Sequence, residues 1–154
     1  MTWNAVHHRG DVLRAVVAEA ESRRDGVLPM ELPGVTETFG DAHHLVAALQ
    51  LRWHTRLAGS IERALLDQPD DLESAVVAAW RDAAAELAGV RMILDVQRAE
   101  PAGPATGDML ERAHRKDVVM LAVMAGLANG ADPAAVRIGQ RLEEQARVTV
   151  GRAA

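Results

Sequence analysis

Six histidines carry the most versatile chemistry in this chain. His7, His8, His43, His44, His54 and His114 can each bind a metal or move a proton near neutral pH. Spacing decides which of them can cooperate. His43 and His54 are eleven residues apart, so one helix puts them on one face but ~16 Å apart along its axis. Adjacent pairs such as His43 and His44 diverge by about 100° around a helix, and one ion rarely takes both. A cooperative site must therefore draw on a second helix. His43 and His44 also fall in an expected first helical turn, where the dipole favours a neutral imidazole.

Glu111-Arg112-Ala113-His114 has the Glu-x-x-His spacing that helical di-metal carboxylate sites use. Such sites take two of these motifs plus further inward carboxylates, and the sequence offers one. Glu111 and His114 are thus the metal-ligand candidates, and no cofactor is expected. His-Glu-x-x-His is absent, which argues against a zinc protease. One Glu-x-x-His carries no family resemblance, and hemerythrin-like histidine spacing is missing too. The chain has no cysteine, so thiolate catalysis, thiolate metal sites and disulfides are excluded.

Two carboxylates, Glu86 and Asp117, fall near apolar rows. A carboxylate there can act as an acid or base if burial raises its pKa, or it can form a structural pair with an arginine from another helix. Arg52 and Arg56, one turn apart, are available for that pairing. Arg52, Arg56 and Arg63 share one side of a helix, and Arg137 and Arg141 are one turn apart on another. Such rows can grip phosphate or carboxylate, and more commonly form a solvated face. No glycine-rich phosphate loop or Gly-x-Ser-x-Gly motif accompanies them. Trp53 and Trp80 sit in apolar rows and read as core, while Trp3 is placed to anchor a partner.

The elements that position these groups are helical. Hydrophobic residues make up 49% and charged residues 25%, a globular balance, with one Phe and no Tyr to favour sheet. Net charge is −5, divided as −3 up to and including Asp70 and −2 after it, which weighs against nucleic acid as a ligand. Sixteen of the seventeen basic residues are arginine, a bias that GC-rich bacterial codons produce. No secretory signal is visible at Met1-Thr2-Trp3-Asn4, and Val118–Ala128 is about half the ~20 residues of a membrane span, so a cytoplasmic protein is expected.

The spacing predicts an all-α, single-domain bundle of about five helices, near 2–25, 41–67, 70–99, 108–128 and 132–150. Residues 41–67 and 70–99, interrupted by Gln68-Pro69-Asp70, form a long antiparallel hairpin. Leu45, Leu49, Trp53, Leu57, Ile61 and Leu65 line its first arm. Trp80, Ala83, Leu87, Val90 and Leu94 make a coiled-coil-like seam on the second. Asp41, Asp70, Asp108 and Asp132 are the expected N-caps, with Glu111 closing a capping box on Asp108. Asn129-Gly130 stops the fourth helix. Residues 27–40 hold Pro29, Pro33 and Gly34, yet Val27, Leu28, Met30, Leu32, Val35 and Phe39 are too apolar for a solvated linker. They predict an ordered strap across the bundle with a helical turn near its end.

These features point to a non-catalytic interaction or regulatory protein acting through self-association, by default a homodimer, or through a protein partner. Trp3, Leu28, Met30, Leu32, Arg52 and Arg56 are the candidate contact residues. The alternative is an enzyme or sensor with a His/carboxylate site, metal-bearing or not, from Glu111, His114 and Asp117 with help from the 41–67 helix.

Overall fold

The rows of apolar residues at steps of three and four fold as helices throughout. The computed structural model describes the backbone of residues 3–152 and the side chains of residues 8–148. The helices are α1 (Trp3–Arg23), α2 (Val35–Phe39), α3 (Ala42–Asp67), α4 (Leu72–Glu86), α5 (Ala88–Ala99), α6 (Pro104–Met124) and α7 (Pro133–Arg152). No strand occurs among the described residues, so the chain is all-α. No helix among them is long and apolar enough to cross a membrane. The chain divides into two compact units, one of residues 1–53 and 87–110, the other of 54–86 and 111–154.

In the first unit α1 packs against α5 and α2. The 70–99 helix of the sequence reading is interrupted here: Leu87 leaves helical geometry (φ −119°, ψ 41°), separating α4 from α5. Two interactions explain the break. Glu21 of α1 accepts the N–H groups of Gly89 and Val90 at 2.9 and 3.1 Å, satisfying donors that a new helix start exposes. Gly89 also lies so close to α1 that a Cβ there would stand 2.0 Å from the Ala20 carbonyl oxygen. The seam residues are all buried, but Trp80 and Ala83 belong to one unit and Leu87, Val90 and Leu94 to the other.

The strap is ordered, and its helical turn is α2. Val35 and Phe39 are buried, and the Arg9 guanidinium covers the Phe39 ring at 4.6 Å. Arg23 of α1 ties the strap to this helix through an ion pair with Glu31, and at 2.6 Å it also pairs with Glu19 of its own helix. Val35 and Phe39 are thus spent on the unit's own packing, while Leu28, Met30 and Leu32 are only half-buried.

In the second unit the C-terminal part of α3 runs antiparallel to α4, with Arg56 paired to Glu86 at 3.0 Å. α4 packs on α7, where Arg81 donates to the carbonyls of Gln145 and Ala146, both at 3.3 Å. α7 approaches α6 closely at Gly139, where a Cβ would lie 1.8 Å from the Val118 carbonyl oxygen.

Helix ends follow local chemistry, with three departures. Asp41 caps α3 and Asp132 caps α7, accepting from the N–H groups of His44 and Ala135 at 3.0 and 2.8 Å. Asp71, not Asp70, caps α4 by accepting from Ser74 N–H at 3.1 Å, because a turn closing from Gln68 to Asp71 takes up Asp70. α6 starts at Pro104, a favoured first helical residue, which removes the capping role expected of Asp108 and Glu111. It ends earlier than Asn129-Gly130 because Gly126 (φ 74°) supports a Schellman closure, with Leu127 N–H to Ala122 O and Gly126 N–H to Val123 O, both 3.0 Å.

Candidate functional site

α6 carries His114 and Asp117 three residues apart, and therefore on one face. In the second unit each meets a polar partner from a different helix. Asp117 is buried, and its Oδ1 lies 2.6 Å from Nδ1 of His54 on α3. The His54 side chain is 42% exposed against 6% for Asp117. In the tautomer with hydrogen on Nδ1, the Asp117 carboxylate accepts a hydrogen bond from Nδ1–H and the ring's lone pair lies on Nε2. Nε2 has no hydrogen-bond partner among the described residues. The pair is a buried carboxylate orienting a half-exposed imidazole.

The second contact is less exposed. His114 Nε2 lies 3.2 and 3.1 Å from the two oxygens of Glu143 on α7, and both side chains are nearly buried. Arg147, one turn along α7, donates to Glu143 at 3.3 Å. Its guanidinium stands 4.8 Å over the Trp80 ring of α4. Helices α4, α6 and α7 are thus joined by one chain of polar and cation-π contacts. With its oxygens engaged by the imidazole and the guanidinium, Glu143 is a structural counter-ion.

The remaining candidates are dispersed. His43 of α3 bonds through Nδ1 to the buried Thr106 hydroxyl at 3.0 Å. His44 turns back onto its own cap, Nδ1 to Asp41 at 2.7 Å. The His44 amide and then its ring hold the Asp41 carboxyl below the usual carboxylate range. His8 is exposed, and the side chain of His7 lies outside the described residues. Glu111 is exposed on α6, while His114 turns to Glu143. No group of three or more His, Asp or Glu among the described residues could hold a metal ion.

The arginine rows resolve into ion pairs and solvated side chains. Arg56 joins Glu86, the structural reading of that carboxylate, and Arg141 joins Glu73 at 3.7 Å. Arg52 is exposed. Arg63 lines a groove of about 520 Å³ between α3 and α4, where Asp67, Asp82 and Glu86 outnumber it. That balance opposes a phosphate or carboxylate ligand. Trp53 and Trp80 are core, as their rows indicated, and the Arg91 guanidinium covers Trp53 at 4.6 Å.

Of the contact candidates, Leu28, Met30 and Leu32 are half-buried in the strap, and the Trp3 side chain lies outside the described residues. Besides Leu51 of α3, which is 65% exposed, three exposed large apolar residues of the first unit lie on the strap and α5. Val27 is 56% exposed, and on α5 Met92 and Val96, one turn apart, are 40% and 45% exposed. The Gly26 backbone seats this end of the strap on α5: a Cβ there would be 2.9 Å from Val96 Cγ2 and 3.6 Å from the Met92 carbonyl oxygen. Val27 directly follows Gly26, so three exposed apolar residues occur around this junction.

Sequence reasoning named Asp117, His114 and His54 and looked to the 41–67 helix for help, but it did not pair His54 with Asp117 and did not name Glu143. His54 is sixty-three residues from Asp117 in the chain, and only packing joins them. Glu143 gave one legible signal, its place one turn after Gly139, the small residue that draws α7 onto α6. Met92 and Val96 were not singled out, because their own seam hides which flank faces solvent. No protein-family model matches this chain, and no curated protein or solved structure is significantly similar to it.

Proposed function

We propose that this chain is a non-catalytic helical protein that works by associating with a second copy of itself. The observation that carries this reading is the exposure of Val27, Met92 and Val96 around the junction where the Gly26 backbone meets α5. Single exposed apolar residues are ordinary, whereas clustered ones favour burial against a partner. The half-buried Leu28, Met30 and Leu32 extend the apolar strip along the strap. A two-fold axis lets one patch serve both copies, the commonest arrangement of soluble homo-oligomers. The acidic net charge of −5 disfavours a nucleic acid partner.

Sedimentation velocity tests the reading. A dimer is expected at micromolar concentration, converting to monomer in a Met92→Glu/Val96→Glu variant whose circular dichroism stays helical. A wild-type chain that sediments only as a monomer overturns it.

A further inference from the structure

A second reading grows from a different observation, the His54–Asp117 pair, and does not depend on self-association. Asp117 is buried at the α6 end of a 2.6 Å contact, and His54 offers its other nitrogen without a partner among the described residues. Three uses of such an imidazole can be weighed. A metal site needs more ligands than this one ring, and no ligand group of three or more exists among the described residues. Catalysis on a small molecule calls for a concave pocket that orients it. Neither the α3/α4 groove nor the smaller cavity beside Arg115 and Pro133 is lined by His54.

The third use is to accept a group that arrives already activated. Attack on phosphorus through a loose, in-line transition state asks chiefly for an aligned lone pair and an open approach. Both are present. We propose that His54 is a phosphoryl-acceptor site, modified at Nε2 by a donor of the acyl phosphate or phosphoramidate class. The Nε2 lone pair forms the new N–P bond. The bond from phosphorus to the bridging oxygen of the acyl phosphate (or to the nitrogen of the phosphoramidate) breaks, and its electron pair leaves with the carboxylate (or, with a proton taken from water, as ammonia). The ring becomes cationic as the bond forms, and the Asp117 carboxylate at Nδ1–H offsets that charge. Asp117 is a positioning residue: it fixes the tautomer and the ring plane.

The test incubates the full chain separately with acetyl phosphate and phosphoramidate, then locates the label by mass spectrometry under basic conditions. One acid-labile phosphoryl group on His54, from either donor, is expected, and it disappears in His54→Gln. The donor that works identifies the source chemistry. Asp117→Asn, with helicity retained, slows labelling about tenfold or more, the effect of losing one charge-assisted hydrogen bond. Imidazole ¹⁵N NMR of the unmodified wild type reads the tautomer directly, so the proposal stays testable if Asp117→Asn unfolds. A proton on Nδ1 and a lone pair on Nε2 support it. The opposite tautomer, label spread equally over His8, His43 and His44, no incorporation from either donor, or an Asp117→Asn rate equal to wild type each overturns it.

Discussion

Glu143 shows how one carboxylate can hold several elements together. It accepts from Arg147 and faces His114, with little water to compensate for a missing partner. Removing one member of such a pair leaves the other incompletely solvated, whereas removing both with apolar replacements leaves nothing uncompensated. Glu143→Ala is therefore expected to cost about 2 kcal/mol in urea denaturation. His114→Leu/Glu143→Leu is expected to recover most of that loss. A double variant as unstable as the single one would show that shape at this spot matters more than charge. The exposed pair Arg56–Glu86 gives the contrast: water screens it, and Glu86→Gln is expected to change stability by less than about 1 kcal/mol.

At the scale of elements, helix packing here depends on two missing side chains. Gly139 and Gly89 sit where a methyl group would overlap a backbone carbonyl of a neighbouring helix, and a backbone cannot rotate away as a side chain does. Gly139→Ala is expected to destabilise by about 3 kcal/mol, at the upper end of overpacking costs. Gly130→Ala, with nothing within 4 Å of its Cβ, is the control, expected within about 0.5 kcal/mol of wild type by thermal unfolding. Helix caps set a separate acid dependence. Asp71 is held below the usual 3.8 by the Ser74 hydroxyl and then its amide, and Asp41 by the His44 amide and then its ring. Carboxyls that ionise more easily when folded contribute stability above that value and lose it as pH falls through their lowered values. An Asp41→Ala/Asp71→Ala variant is expected to melt below wild type at neutral pH, with the gap narrowing as pH drops below about 4. A gap independent of pH would assign the caps no ionic component.

For the molecule as a whole, the two units divide the sequence unusually: each is assembled from separated stretches of chain. The boundary falls inside α3, between Trp53 and His54, and inside α6, between Leu110 and Glu111. Helix propagation is cooperative, so opening one end of such a helix weakens the other. Trp53 and Trp80 report on one unit each. Variants retaining only one of these tryptophans are expected to unfold in urea at the same midpoint, coincident with the loss of helical circular dichroism. Two separated midpoints would mean that each unit folds by itself.

The sequence by itself determined the helices and their buried faces. Leu45, Leu49, Trp53, Leu57 and Ile61 are each 1% exposed or less, because a run of apolar residues at helical spacing has only one way to leave water. It determined the Asp41 and Asp132 caps as well, since a cap bonds its own next turn. Tertiary structure decided the rest. The kink at Leu87 arises from Glu21, sixty-six residues earlier, meeting the amides of Gly89 and Val90. Asp117 acquired His54 and His114 acquired Glu143 from helices that local spacing cannot align. A cap or an apolar face is settled within a few residues by backbone geometry, but a partner across a bundle is settled by which helices pack together. In this chain glycines such as Gly139 and Gly89 permit that packing, by what they lack.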